Sequence, residues 1–232
     1  MASINLDDFE DAEIRETRLS ALETYLHDER FIGIKLAHAH QGVAFDDPLY
    51  DAVYELAARN GVAVLLHTGI SPFPGTQSES EYTSPQGLET VIERFDGLGD
   101  EGRVEFVLAH VGTADARATE AALELAAAHD NVWLELSALG QNMIVGEDGE
   151  DNDVEGPQYT WIVEDILGLG LIERTMFATD GPQSSGKIRT YLQEIIEAMQ
   201  NAGYSTDEIA HVLSRSFYDC FGLESIGSAQ VL

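Results

Sequence analysis

Short apolar runs alternate with longer helical stretches along most of the chain. The runs are nearly continuous in apolar residues, which is typical of parallel strands buried on both faces; they cover 31–37, 62–66, 104–109, 132–136 and 175–178. Between them lie stretches with helical signals, such as Asp-Pro before a segment, Gly after it, or a run rich in Ala, Leu and Glu. The predicted helices cover 49–60, 114–128, 187–202 and 206–221.

This alternation repeats roughly every 30–40 residues and predicts βαβ units around a parallel sheet. No shift in composition marks a linker, so residues 1–232 are predicted to form one domain. Two segments interrupt the pattern: 70–86, rich in Ser, Pro and Gly, and 140–158, rich in Gly, Asp and Glu. Each follows a strand, and the loops after strands build the active sites of α/β folds. Each segment is therefore either a lid over a site or a solvated surface insertion.

Three predicted strands end in a polar residue that is followed by a turn. His67 comes before Thr-Gly, His110 before Val-Gly and Asp180 before Gly-Pro. If the sheet closes into a barrel, the ends of these strands converge on one point. Two imidazoles and a carboxylate are donors that Zn²⁺ prefers, and three protein ligands leave a position for an activated water. Taken singly, each is also compatible with a hydrogen-bonded structural histidine or an Asp turn residue.

The order of these stretches resembles the amidohydrolase superfamily, in particular the TIM-barrel hydrolases and decarboxylases of amidohydrolase family 2. The resemblance rests on 31–36, 64–69, 106–112, 131–137 and 176–182, and on the closing helix at 207–223. It implies strands four to eight of a (β/α) barrel and a divalent metal, Zn²⁺ foremost. His67 would bind the metal, and His110 would bind it or polarise the substrate. Asp180 would touch the metal and act as general base on its water.

The N-terminal part departs from the family pattern. Family members begin with a strand that carries His-x-His, and none precedes Phe31, while residues 1–6 resemble the end of the third family strand. The expected fold is therefore a TIM-barrel-like parallel sheet that is incomplete at its N-terminus. A misassigned start, a truncated form and a genuinely shortened relative would all give this sequence. An incomplete barrel exposes apolar edges, which favours association into a homo-oligomer.

Another departure is the segment His38-Ala39-His40, where relatives have His-Pro after Lys-Leu. We expect His38 and His40 to contact the substrate, and the alternative is that this His-x-His replaces the missing metal ligands. Lys35 corresponds to the strand-four lysine that bridges two metals as a carbamate in some superfamily members. Its place on an apolar strand favours a buried, paired ammonium instead. Cys220, the single cysteine, is predicted to fill space in the core and not to act as a nucleophile.

Composition narrows the possible partners and the environment. The chain has 12 Lys and Arg against 42 Asp and Glu, a formal charge of −30, with Lys only at 35 and 187. Without clustered cations, nucleic acid and anionic membrane surfaces are poor partners, and a small-molecule substrate is expected. Uniform acidity resembles proteins of salt-loving archaea, although an ordinary acidic protein has the same signature. One cysteine and the lack of a signal sequence or membrane span predict a cytoplasmic protein.

These observations lead to a metal-dependent hydrolase that uses a metal-activated water. Decarboxylation on the same scaffold is the nearest alternative. Metal-dependent deoxyribonucleases have similar strand ends, but the acidity of this chain disfavours that reading. A hypothesis of another class is a non-catalytic barrel remnant that serves as a binding or assembly subunit, which the missing His-x-His supports.

Overall fold

A six-stranded parallel sheet organises the molecule. The computed structural model describes residues 1–99, 102–139, 158–181 and 185–224. The strands are β1 (Ala2–Ser3), β2 (Gly33–Leu36), β3 (Ala63–Gly69), β4 (Phe106–Thr113), β5 (Val132–Glu135) and β6 (Thr175–Met176). They lie side by side in chain order, and every neighbouring pair is parallel. Within the described ranges β1 and β6 do not pair with each other, so the sheet is open. The parallel α/β sheet predicted from the apolar runs is confirmed.

Helices connect the strands. They are α1 (Ala12–Leu26), α2 (His38–Gln41), α3 (Asp51–Asn60), α4 (Ser80–Thr83), α5 (Glu89–Arg94), α6 (Ala116–Ala128), α7 (Tyr159–Leu169), α8 (Ser185–Ala202), α9 (Thr206–Ala210) and α10 (Ser216–Cys220). Short 3-10 turns cover Pro48–Tyr50, Pro85–Leu88 and Ile172–Arg174. Among the helices predicted from the sequence, the one expected at 49–60 begins as the first of these turns and continues as α3. It ends, as predicted, at Gly61, which has a left-handed φ of 62°.

Helix α1 was not predicted, because its apolar residues are spread around the helix and do not form one clear stripe. Its start is nevertheless a regular one: the Asp11 carboxylate accepts hydrogen bonds from the backbone N–H groups of Glu13 at 2.9 Å and Ile14 at 3.2 Å. Of its side chains, Leu22 and Leu26 are buried. The helix is therefore held by its cap and by a narrow apolar contact, and most of its surface is polar.

The closing helical segment contains a local irregularity. A capping box between Ser205 and Glu208 starts α9, and His211–Arg215 then form a π-helical turn before α10. The carbonyl of Val212 in this turn accepts a hydrogen bond at 2.9 Å from the N–H of Phe177, just after β6. The π turn thus links the closing helix directly to the segment that leads to Asp180.

The sheet forms the centre of the core. All eight residues of β4 are buried, as expected for a central strand covered on both faces. Cys220 is buried and packs with Ala63, Val107 and Met176, which confirms its predicted role as core filler. In the described part of the chain, no helix has both the length and the apolar character needed to cross a membrane.

Candidate active site

His67 and His110 meet at the carboxyl ends of adjacent strands. The register of β3 and β4 pairs His67 with Ala109, the residue before His110. The two imidazole rings lie edge to face with their centroids 4.8 Å apart. His67 is 8% exposed and His110 is 4% exposed. The structure therefore brings together two of the three residues that the strand-end pattern selected.

The ring of His67 is neutral and has one nitrogen without a partner. The pKa of His67 is lowered to about 2, mainly by burial and in addition by the neighbouring charges of His110, Lys35 and His40. A hydrogen bond with the backbone of Gly69 opposes this shift only in part. The buried Nε2 has no hydrogen-bond partner among the described residues. A neutral imidazole with a buried lone pair of this kind is suited to binding a metal or a substrate donor.

The backbone turns sharply at His110. Residues His110, Val111 and Gly112 have φ values of 69°, 44° and 73°. Left-handed backbone is costly for a β-branched residue such as Val111, and strain of this kind concentrates at functional sites. The hydroxyl of Thr68 supports the turn, since it donates to the carbonyl of Ala109 at 2.7 Å and accepts from the N–H of Gly112 at 2.9 Å.

A buried hydrogen-bond network lies behind His110. The Oε2 atom of Glu135 accepts from the backbone N–H of His110 at 3.1 Å and from the hydroxyl of Ser137 at 2.8 Å. The same hydroxyl lies 2.8 Å from Nδ1 of His110. All three side chains are buried. The sequence reasoning did not single out Glu135 or Ser137. The available signal was a Glu within the otherwise apolar strand Val-Trp-Leu-Glu and a Ser just after it.

Lys35 is the cation of the site. Burial lowers the pKa of its ammonium, and the negative charges of Glu135 and Asp180 oppose that shift. This supports the paired ammonium that was expected from its strand. Burial and, to a lesser extent, the positive charge of Lys35 lower the pKa of His110. The negative charges of Glu135 and Asp180 raise it. Asp180 itself is exposed, with a φ of 46°.

His38 and His40 occupy different environments. His38 is fully buried, stacks on Phe45 with ring centroids 3.9 Å apart, and packs edge-on against Tyr50. His40 is exposed, and its ring lies 5.4 Å from that of His67 between centroids. His40 therefore borders the site, whereas His38 lies in the core beneath it. Substrate contact by either residue stays a prediction.

The segment 70–86 lies next to these histidines. The N–H of Gln77 donates to the carbonyl of Ala39 at 2.8 Å, and the largely exposed ring of Phe73 lies 5.8 Å from that of His40 between centroids. At the far end of the segment, the Thr83 hydroxyl donates to Asp115 at 3.0 Å. This segment thus borders the site, as a lid would. The other predicted loop, 140–158, lies outside the described residues except for Gln158.

The site fits a divalent ion in donor chemistry but not as a complete ligand set. His67 offers an orphaned Nε2, and His110 is a second buried imidazole beside it. Among the residues that the structure describes, however, no group of three or more His, Cys, Asp or Glu side chains is placed to hold a metal. Asp180 therefore does not complete a three-ligand set here. The joint assignment of His67, His110 and Asp180 stays a prediction.

Comparisons with known proteins agree with this geometry. A family model described as amidohydrolase matches residues 10–215. No match was found among curated proteins. The similar solved structures include an uncharacterised TIM-barrel protein from Bordetella bronchiseptica, which is 17% identical, covers 95% of this chain and 65% of its own, and has a TM-score of 0.64.

Two further solved structures are similar. A putative 2-pyrone-4,6-dicarboxylic acid hydrolase from Pseudomonas putida is 15% identical, covers 87% of this chain and 68% of its own, with a TM-score of 0.55. A dihydroxybenzoic acid decarboxylase from a Polaromonas species, with bound manganese and the inhibitor 2-nitroresorcinol, is 15% identical and covers 89% of this chain and 65% of its own, with a TM-score of 0.54. At these identities the likeness shows the fold, which is TIM-barrel-like as predicted. The chain spans about two thirds of the length of these structures.

Proposed function

The chain belongs to the amidohydrolase family, and we propose that it is a metal-dependent hydrolase of a small-molecule substrate. The observation that carries this proposal is the pair formed by His67 and His110. These two buried imidazoles end adjacent strands and lie 4.8 Å apart between centroids, and Nε2 of His67 has no partner among the described residues. Burying a polar nitrogen without a partner costs about 1–3 kcal/mol, and a ligand at that nitrogen would offset this cost.

In this proposal His67 and His110 would hold a divalent ion, and Asp180 would complete the ligand set when the ion binds. When bound, such an ion supplies a Lewis acid that activates water and polarises the substrate. Asp180 is exposed, and its carboxylate would accept the proton of the attacking water. Lys35 supplies a positive charge close to Glu135 and Asp180 and can stabilise an anionic group of the substrate.

Donor chemistry limits the metal to a divalent ion that accepts imidazole and carboxylate ligands. Two imidazoles and a carboxylate are typical of Zn²⁺, and Mn²⁺ accepts similar donors. The manganese bound in the similar Polaromonas decarboxylase structure supports a divalent metal as the cofactor.

Decarboxylation is the second candidate function. The similar structure from the Polaromonas species supports this function, because that protein is a decarboxylase. The partly buried ammonium of Lys35 would suit a substrate carboxylate, which this reaction requires. The two candidates therefore share one site and differ in the substrate bond that breaks.

The proposal also includes the salt environment, the partners and the oligomeric state of the protein. A net charge of −30 supports a cytoplasm of high salt, as in salt-loving archaea, and argues against nucleic acid and membrane partners. The open edges of the described sheet support a homo-oligomer.

Metal content tests the site directly. We expect protein purified in molar KCl to hold about one divalent ion per chain and to lose it in His67→Ala. His27→Ala, which removes an exposed histidine at the end of α1, is the matched control and should retain the ion. Fewer than ~0.1 ion per chain, with no difference between the two variants, would overturn the proposal in favour of a non-catalytic binding subunit.

Activity assays separate the two reactions. We expect the metal-loaded protein to open lactones, with 2-pyrone-4,6-dicarboxylic acid as the first substrate to test. Release of carbon dioxide from dihydroxybenzoic acids without lactone hydrolysis would assign the decarboxylase function instead. For lactone hydrolysis, Asp180→Asn should lower kcat by about 100-fold or more, because it removes the acceptor for the proton of the attacking water.

A further inference from the structure

The network behind His110 determines which ring nitrogen carries the proton. Oε2 of Glu135 accepts from two backbone N–H groups, those of His110 at 3.1 Å and Ser137 at 3.3 Å. A carboxylate oxygen can only accept hydrogen bonds, so the Ser137 hydroxyl donates to the same Oε2 atom, at 2.8 Å. The single proton of that hydroxyl is therefore directed to Glu135.

The Ser137 oxygen is left as an acceptor on its other side. It lies 2.8 Å from Nδ1 of His110, so this nitrogen must donate. The direct separation of Nδ1 and Oε2 is 3.9 Å, too long for a hydrogen bond, and the hydroxyl therefore connects the two groups. In a neutral imidazole, a proton on Nδ1 leaves the lone pair on Nε2.

We propose that Glu135 and Ser137 are positioning residues that hold His110 in its Nδ1–H tautomer and keep Nε2 as the nitrogen available to the site. Glu135 acts at two points, since it also fixes the backbone N–H of His110 in a turn where φ is 69°. The consequence for catalysis rests on the proposed function. With Nε2 unprotonated, neutral His110 can bind a metal or accept a proton, but it cannot donate a hydrogen bond from Nε2 to the substrate.

The contacts favour this role over a purely structural one. A carboxylate that only capped the turn would need the two backbone N–H groups and no hydroxyl. Here the hydroxyl of Ser137 spans the carboxylate and the imidazole, and all three side chains are buried away from water. Fixing the tautomer of a functional histidine through its second nitrogen is the task that such outer partners perform at metal and catalytic sites.

The test reads the tautomer itself by ¹⁵N NMR of the imidazole rings in metal-free protein at neutral pH, with the His110 signals assigned by their loss in His110→Gln. We expect wild-type protein to show protonated Nδ1 at His110. Ser137→Ala should move the proton population towards Nε2, and Ser137→Thr, which keeps the hydroxyl, should restore Nδ1–H. Ser216→Ala removes another buried hydroxyl, one bonded to the carbonyl of His211, and should change nothing at His110.

Protonated Nε2 in the wild-type protein overturns the proposal, and this measurement needs no variant to fold. An unchanged tautomer in a folded Ser137→Ala variant overturns it as well. The affinity for Zn²⁺ is the second readout: we expect Ser137→Ala to lose about 10- to 100-fold and Ser137→Thr to stay close to wild type. If the tautomer shifts as expected but no variant and no wild-type sample binds metal, the proposed function fails and the positioning role stands.

Discussion

The rings of His110 and His67 meet edge to face, although the register of the two strands pairs His67 with Ala109, the residue before His110. Paired residues of parallel strands point to the same face, and the next residue points to the opposite one. The left-handed φ values at His110 and Val111 break this alternation and bring the two rings to 4.8 Å between centroids. The meeting of the two histidines therefore depends on a strained turn that three polar side chains support, those of Thr68, Glu135 and Ser137.

His40 should affect substrate binding and not metal binding. Its exposed ring borders the site, 5.4 Å from His67 and 5.8 Å from Phe73 between ring centroids. We expect His40→Ala to raise KM by about 3- to 10-fold, the equivalent of one lost hydrogen bond, with kcat and metal content unchanged. Steady-state kinetics and metal analysis check this. A loss of metal in His40→Ala would instead support the alternative that His38-Ala39-His40 supplies ligands.

His38 should make the fold sensitive to acid. Burial lowers its pKa in the folded protein to about 3, against roughly 6.5 when unfolded. Between these values the unfolded chain holds a proton that the folded chain lacks, so the free energy of unfolding falls as the pH falls. This group alone contributes about 1.4 kcal/mol per pH unit within that window.

The measurement is urea unfolding at several pH values for wild type and His38→Asn. The variant keeps a donor near Nδ1, which lies 3.2 Å from the carbonyl of Val43, but cannot be protonated. Between about pH 6.5 and about pH 5, the free energy of unfolding of wild type should fall by about 2 kcal/mol more than that of the variant. His27→Asn, at an exposed position, should follow wild type. Equal slopes for His38→Asn and wild type would mean that His38 is solvated in solution.

High salt should stabilise the protein. With a net charge of −30, repulsion among carboxylates opposes folding, and molar KCl shortens the screening length to ~3 Å. Glu120 and Glu124 are exposed like charges four residues apart on α6. We expect the double variant Glu120→Gln, Glu124→Gln to gain about 0.2–0.5 kcal/mol at low salt and to lose this gain in molar KCl. Urea unfolding at both salt levels checks this, and a gain that persists in KCl would exclude charge repulsion as its cause.

Burial explains which parts of the fold could be predicted. The runs at 62–66 and 104–109 became β3 and β4 because strands covered on both faces must be apolar throughout. Helix α1 could not be found by the same criterion, since its contact with the core is limited to a few leucines. The segment after β3 was predicted as a loop, and it contains the single turn of α4 before α5.

Two residues of the candidate site could be selected from the sequence, but their arrangement in space could not. His67 and His110 stood out as polar residues that end apolar runs. The tautomer of His110 depends on Glu135 and Ser137, which lie 25 and 27 residues further along the chain, so their contacts with His110 cannot be read from the local sequence. The environment of His38 was equally hidden, because none of the predicted helices includes residues 38–41. The segment instead forms the short helix α2, which buries His38 and exposes His40.

Gly112 should be among the least replaceable residues near the site. A Cβ there would lie 2.2 Å from the N atom of Thr119 and 2.3 Å from the carbonyl carbon of Ala118, both backbone atoms of α6. Its φ of 73° adds strain for any L-residue. We expect Gly112→Ala to lower the free energy of unfolding by more than about 3 kcal/mol.

Gly170→Ala is the matched control for Gly112→Ala, because Gly170 has a φ of 70° and nothing within 4 Å of the added Cβ. It should cost only the backbone term, about 1–2 kcal/mol. The difference between the two variants in urea unfolding then measures how tightly α6 packs against the turn at residues 110–112, near the end of β4. That packing holds His110 over His67, so equal costs for the two variants would mean that the turn can move away from α6 and that the geometry of the histidine pair is not fixed by the helix.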